Sequence, residues 1–294
     1  MKTILLFIDG LGWGPPDPET NPQYSYGGDF FRLPVFADEP VRLAGGGLAV
    51  PIDAVLEIEG VPQSATGQTT LFSGVNAQGA IGKHLTGFPN EALQNILREH
   101  SILKILTDRG YEARFLNAFR PRFWELSEER KWTLSATTVT NLAAGLPFFT
   151  LEDVSGGRSV YQEFTNTELM RRGFDMEPMT PSEAGGIVGR QINNYDFLLY
   201  EYFQTDKAGH SGDIVRSEEQ LRMLDEFMEE LLRQIPSDTL VILTSDHGNL
   251  EDATTRRHTL NPVPLMVWGA AGTSFVKGIK RLDQVAPAIL ALYP

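Results

Sequence analysis

Apolar positions along this chain follow two rhythms. A continuous apolar run at Ile4–Ile8 and the mainly apolar segments Phe197–Phe203, Leu240–Thr244 and Val263–Trp268 predict strands of a sheet, the first of them buried on both faces as in a sheet interior covered on each side. Leu48–Ile58 alternates and predicts a further strand within it, and Ala113–Asn117 predicts another. Between these runs the spacing becomes helical. Leu93, Ile96, Leu97, Ile102, Leu103 and Leu106 predict one helix over Glu91–Asp108, with Gly110 as its stop. Leu221, Leu224, Phe227, Met228, Leu231 and Leu232 predict an amphipathic helix over Glu218–Ile235, its acidic face of Glu218, Glu219, Asp225, Glu229 and Glu230 turned to water. Helices are also predicted over Ser182–Ile192 and Leu282–Leu292, and one begins near Gly67–Ser73. Strands alternating with helices imply an α/β fold, a mostly parallel sheet sandwiched by helices.

The rhythm fails twice. Residues 10–47 are rich in Gly and Pro and read mostly as loop. Residues 118–180 hold Arg120-Pro-Arg122-Phe123-Trp124, a charged patch at Ser127–Lys131, a Thr-rich run and two Gly/Pro-rich turns, with no βα alternation. This stretch is expected to be a small inserted cap or substrate-specificity region on a core made of 1–117 and 181–294. Phe123, Trp124, Phe148 and Phe149 would pack it.

Composition narrows the function. The chain has 294 residues, 41% hydrophobic and 21% charged, ordinary for a globular protein. Its net charge of -13 disfavours a long nucleic acid or an anionic membrane surface as partner, since both call for basic patches. A small anionic substrate stays open, because bound cations would dominate the local field. With no cysteine, disulfides, zinc–thiolate sites and a cysteine nucleophile are all removed. The first residues begin like a signal peptide, but the apolar run stops at Asp9 with no small-residue cleavage site after it, so a buried first strand is the better reading. No apolar stretch approaches the roughly 18–20 residues that span a bilayer, and a soluble, cytoplasmic protein is expected. The oligomeric state is left open.

The chemistry lies in histidines and acids. Three of the five histidines stand near aspartates or close to them in the chain: Asp206-Lys-Ala-Gly-His210, Asp246-His247-Gly-Asn, and His258-Thr-Leu-Asn-Pro-Val-Pro. Asp9 ends the first apolar run. Asp9, Asp206 with His210, and Asp246 with His247 each follow a predicted strand, where ligand sites of α/β sheets gather; His258, in the loop before another strand, could join them. Imidazole and carboxylate suit zinc or manganese, with magnesium as the harder alternative. Asp206, His210 and His258 would make one site, and Asp9, Asp246 and His247 a more acidic one. Two such ions can clamp both oxygens of an in-line displacement. The nucleophile should be a hydroxyl, and the segment around Ser64, Thr66, Thr69, Thr70 and Ser73 supplies several. Ser64 precedes the predicted helix start, where an alkoxide would be stabilised by the positive helix end; Thr66 is the next candidate. Taken alone, Ser64 would also serve as a helix N-cap. Lys207, Arg120, Arg122 and His84 are candidates to touch a phosphorylated substrate, although each would serve equally as an ordinary surface or structural residue.

These motifs resemble those of the alkaline phosphatase superfamily, and most closely its branch of cofactor-independent phosphoglycerate mutases and phosphopentomutases. The resemblance rests on Asp9-Gly10, Ser64 ahead of Gly67-Gln68, Asp206 with Gly209-His210, Asp246-His247-Gly248-Asn249, and His258-Thr259 before Asn261-Pro-Val-Pro264. The segment from Ser64 to Val75 is also similar to alkaline phosphatase itself, which favours Ser64 over Thr66. By that likeness Asp9, Ser64, Asp246 and His247 would hold one ion, and Asp206, His210 and His258 the other. Two departures stand out. Gln68 occupies the place of a histidine in the mutases, and residues 118–180 are too few for the large inserted domain of the phosphoglycerate mutases. The expectation is a two-metal phosphohydrolase or phosphotransferase acting on a small phosphate ester through a phosphoseryl intermediate. A sugar-phosphate mutase and a catalytically silent metal-bound binding protein are the alternatives.

Overall fold

The computed structural model describes residues 1–26, 28–34 and 39–294; parts of the loop expected over 10–47 therefore lie outside the described residues. Among the described residues one sheet contains β1 (Lys2–Ile8), β2 (Val41–Arg42), β3 (Leu48–Ile52), β4 (Ala113–Phe115), β5 (Phe197–Tyr202), β6 (Thr239–Thr244) and β7 (Val263–Gly269), in the order β2-β3-β7-β6-β1-β5-β4. β4, β5, β1 and β6 are mutually parallel. β7 runs against both β6 and β3, and β2 runs against β3, so the parallel block carries an antiparallel flank.

The apolar character of these strands follows from burial on both faces. Ile4, Leu6 and Ile8 of β1 join one core cluster with Leu198, Tyr200, Val241 and Leu243. Leu5 and Phe7 join the opposite cluster with Phe197, Leu199, Leu240 and Ile242. A strand that feeds two cores has no polar face to alternate, and each such side chain contributes about 1.5–3 kcal/mol over its exposed state.

The principal helices are α1 (Ser64–Ser73), α2 (Glu91–His100), α3 (Ile102–Asp108), α4 (Ala136–Ala143), α5 (Pro181–Gln191), α6 (Gln204–Ser211), α7 (Ile214–Gln234) and α8 (Val285–Leu290). The single helix expected over 91–108 is two. Ser101, fully buried, leaves helical geometry at ψ 126, donates its hydroxyl to the Thr140 carbonyl at 2.9 Å and caps α3 by accepting from the Lys104 amide. A side chain that bonds its surroundings and the next turn at once breaks the ladder there. α7 starts four residues before the expected Glu218, because Asp213 accepts from the amides of Val215 and Arg216. The predicted closing helix opens with a 3-10 turn at Leu282–Gln284 and continues as α8. α5 and α7 pack closely: a Cβ at Gly185 would lie 2.1 Å from the Phe227 carbonyl oxygen.

Residues 118–180 contribute no strand to the sheet and carry several short helices. They are sewn into the core at two points. Ala136 and Val139 of α4 lie in the cluster that holds Leu97, Leu103 and Leu106. On the other face Phe164 stacks between Tyr202 and Phe227, with ring centroids at 4.2 and 4.4 Å. Of the expected packing aromatics, Phe123 meets Phe119 in a tilted contact at 4.5 Å and Phe148 meets it edge-on at 4.8 Å, Phe149 packs partly buried against the core, and Trp124 is exposed but touches Phe123 edge-on. No helix among the described residues is long and apolar enough to cross a membrane.

Candidate metal centre

Parallel pairing aligns the strand ends. Phe7 of β1 pairs with Glu201 of β5 and with Thr244 of β6, so the three strands finish at one level. Asp9 lies just past β1, Asp246 just past β6, and Asp206 in the first turn of α6 after β5. Gly10 turns the chain away with φ +70, and a Cβ there would meet the Asp206 Cα at 2.9 Å. Gly67 lets α1 approach, since a Cβ there would lie 2.7 Å from the Asp246 carbonyl oxygen. α6 presents Asp206 and His210 one turn apart on one face. His258 arrives on the loop before β7, held where the Thr259 amide donates to the Gly248 carbonyl at 3.0 Å.

Two donor clusters result. In the first, His247 Nε2 lies 3.4 Å from Asp9 Oδ1, 3.4 Å from Asp246 Oδ2 and 3.1 Å from Ser64 Oγ. In the second, His210 Nε2 lies 3.4 Å from Asp206 Oδ2 and 3.3 Å from His258 Nε2, which is 3.6 Å from Asp206 Oδ1. The clusters adjoin: the His247 ring stacks on His258 with centroids 3.6 Å apart. Donors bound tetrahedrally at about 2.0–2.1 Å from one ion stand about 3.3 Å from each other; the contacts of His247 and of His210 fall near that spacing, and donor atoms of Asp9, Asp246 and His247, and of Asp206, His247 and His258, lie within 4.8 Å of one another.

Histidine orientation supports the same fit. Each Nδ1 faces a backbone carbonyl: Gly248 for His247 at 3.4 Å, Arg256 for His210 at 2.8 Å, Pro62 for His258 at 2.9 Å. A carbonyl only accepts, so Nδ1 carries the proton and Nε2 turns a lone pair inward. Lone pairs of His210 and His258 then meet at 3.3 Å, an arrangement that a cation between them would satisfy. Asp9 Oδ1 is buried with no hydrogen-bond partner. Burial first, then the charges of Asp246 and Asp206, pushes the Asp9 carboxyl well above the usual range. Burial and Asp206 push Asp246 up to about 7. Burial, then the charge of His258, holds His247 down to about 3, so its imidazole is neutral at ordinary pH. A divalent ion would replace the protons that these buried acids otherwise keep.

Ser64 is the first residue of α1, and Gln63 occupies the N-cap position, so Ser64 is not the cap. Thr66 is fully buried; its hydroxyl donates to the Gln63 carbonyl at 3.2 Å and accepts from the Leu85 amide. Ser64 opens onto a cavity of about 580 Å³ whose walls include Asp9, Gln68 and Asp206. Three expected substrate contacts line the same cavity: Arg120, Arg122 and Lys207, the last with Nζ 4.4 Å above the Phe203 ring. Burial lowers the Lys207 pKa. His84 does not line it; its Nε2 meets the Ile58 carbonyl at 3.1 Å instead.

Three neighbours of the clusters have no role assigned from the sequence, although Gln68 stands out there as a departure and Asn249 lies within the motif of Asp246 and His247. Gln68 Nε2 donates to both Asp9 Oδ2 and Asp246 Oδ2 at 3.1 Å, spanning the two acids. Asn249 Nδ2 donates to Asp206 Oδ1 at 2.7 Å. Glu201, in β5, reaches the cavity, accepts from Thr137 Oγ1 at 2.7 Å and is raised to about 7 by burial. Its available signal was an acid inside an apolar strand.

A sequence profile for the Metalloenzyme superfamily matches residues 135–293. The 2,3-bisphosphoglycerate-independent phosphoglycerate mutase of Ehrlichia ruminantium (strain Gardel) is 31% identical over 134 residues, 40% of this chain. The chain spans about a quarter of that relative, 26% of its length. The PH0037 protein from Pyrococcus horikoshii superposes with a TM-score of 0.60 at 14% identity, covering 99% of this chain and 97% of that one. A cold-active alkaline phosphatase from the psychrophile Shewanella sp. superposes with a TM-score of 0.57 at 14% identity, covering 100% of both chains. At such identity the superpositions show a shared fold.

Proposed function

The chain belongs to the Metalloenzyme superfamily, and from that premise we propose that it transfers phosphoryl groups from small phosphate monoesters, using two divalent ions and Ser64 as nucleophile. Asp9, Ser64, Asp246 and His247 would hold one ion, and Asp206, His210 and His258 the other, with zinc or manganese fitting the mixed nitrogen and oxygen donors better than magnesium. The observation that carries the reading is Ser64 Oγ, 3.1 Å from His247 Nε2 inside the first donor cluster and open to the cavity. Bound ions would polarise the phosphoryl oxygens, lower the pKa of the attacking hydroxyl or water and offset charge on the leaving oxygen.

The chain's own groups do the rest. Ser64 Oγ attacks phosphorus, the bond to the ester oxygen breaks, and the phosphoryl group rests on Ser64 while the alcohol departs. Water then attacks that phosphorus, and Ser64 is restored as inorganic phosphate leaves. The N-terminal end of α1 favours negative charge on Oγ. Gln68 keeps Asp9 and Asp246 aimed by donating to one oxygen of each. Lys207, Arg120 and Arg122 supply cations for phosphate oxygens or for a second anionic group, and Phe88, Phe119 and Phe123 add aromatic wall, favouring an alcohol with apolar surface.

A mutase would hand the phosphoryl group from Ser64 to a second hydroxyl of the substrate, and the similarity to a phosphoglycerate mutase favours keeping that reading. The small extent of 118–180 favours release to water. One experiment separates them. Chelator-stripped protein is reloaded with zinc or manganese and assayed on a panel of phosphate mono- and diesters, with free phosphate and isomerised product both measured, beside Ser64→Ala. Metal-dependent phosphate release, reduced at least about 1,000-fold in Ser64→Ala, is expected. Equal turnover by the variant would sink the nucleophile assignment. Isomerised product without free phosphate would select the mutase. Metal binding without turnover on any ester would select a silent binding protein.

A further inference from the structure

One buried acid outside the two donor clusters touches the loops that carry them. Glu251 is 1% exposed and has no basic partner among its contacts. Its Oε2 accepts from the Gly12 amide at 3.1 Å and the Asn249 amide at 2.7 Å. Its Oε1 accepts from Asn261 Nδ2 at 3.0 Å and from the Thr259 hydroxyl. Gly12 follows Asp9 on the first loop, Asn249 follows Asp246 and His247 on the second, and Thr259 adjoins His258 on the third. Asn249 extends the chain of bonds to Asp206. Space for the carboxylate is made by glycine: a Cβ at Gly12 would stand 2.2 Å from Glu251 Cδ, and one at Gly248 2.3 Å from Oε1.

We infer that Glu251 is a positioning residue for both metal clusters, an acceptor-only group that pins three ligand-bearing loops at one point. The role rests on the two-ion reading above. Four donors converge on two oxygens, and only an ionised carboxylate accepts all of them without rearrangement. The two sides differ. Backbone amides of Gly12 and Asn249 cannot reverse their role, whereas the Thr259 hydroxyl can rotate and the Asn261 amide can flip. Glutamine at 251 would therefore keep its oxygen toward Gly12 and Asn249 and turn its NH2 toward Thr259 and Asn261. The first cluster would survive, and the loop of His258 would have to repack.

The test is calorimetric titration of Zn2+ into chelator-stripped protein, with unfolding of the metal-free protein followed in parallel. Wild type is expected to take up two ions. Glu251→Ala should weaken both by about 10–100-fold, and Glu251→Gln should weaken one by about 10-fold while leaving the other near wild type. A merely structural acid would lower the unfolding midpoint and leave the Zn2+ affinity of the folded variants unchanged; that result overturns the inference. If Glu251→Ala fails to fold, Glu251→Gln still decides: equal affinity at both sites overturns, loss at one site supports. A wild-type protein that binds no Zn2+, Mn2+ or Mg2+ overturns the two-ion reading itself, and this role with it, a result distinct from two ions held equally by wild type and variants.

Discussion

Glu201 should make the metal-free protein less stable as pH rises. Its carboxyl is buried at the end of β5, with one hydroxyl donor, Thr137, and the charge of Asp246 nearby. Burial, the largest cause, raises its pKa from 4.5 to about 7. A folded-state pKa above the unfolded one means that the native protein holds the proton more tightly. The stabilisation is then full below pH 4.5 and is lost as pH rises through 7, by about 1.4 kcal/mol per unit and about 3 kcal/mol in all. Between pH 5 and pH 8.5 about 2.5 kcal/mol of this is crossed. Glu201→Gln removes the titration and keeps an oxygen to accept from Thr137. The assay is urea unfolding of chelator-treated wild type and Glu201→Gln at both pH values. Other groups titrate in this range, so the quantity to read is the difference of differences. The variant should lose about 2.5 kcal/mol less than wild type on going from pH 5 to pH 8.5. Parallel pH dependence in the two proteins would refute the reasoning.

Two further outcomes follow from packing and from the cavity. Gly185→Ala should cost about 1–3 kcal/mol, because the new methyl group would stand 2.1 Å from the Phe227 carbonyl oxygen and must push α5 off α7, outweighing the better helix propensity of alanine; an unchanged or higher thermal midpoint would contradict it. Arg120→Ala and Lys207→Ala should each raise KM for a phosphate ester about 10-fold with a smaller change in kcat, the loss expected for one hydrogen bond to a charged group; steady-state kinetics showing unchanged KM in both would remove them from the substrate site.

The layering was legible because burial on two faces leaves a trace in one strand. Ile4–Ile8 has no polar position, and the structure divides its side chains between two cores. Strand order and direction left no such trace: the antiparallel flank of β7, β3 and β2 is invisible in residues that look like any other apolar strand. The break at Ser101 depends on the Thr140 carbonyl, thirty-nine residues away. The candidate site divides similarly. Asp9, Asp206 and Asp246 could be found because each follows a predicted strand, and parallel strands end their chains at one edge. The resemblance drew notice to Gln68 but not to its span across two acids, and Glu251 drew none, because the chain marks neither as buried or convergent.

Residue type and local spacing, then, determine which segments become strands and helices and which donors are available, since those depend on side-chain volume, polarity and the nearest few neighbours. The tertiary structure alone decides which donors meet. His258 faces His210 at 3.3 Å, and Glu251 gathers four donors from three loops, through contacts between segments far apart in the chain. A buried acid and a solvated one are the same letters in sequence; burial and the convergence of partners separate them.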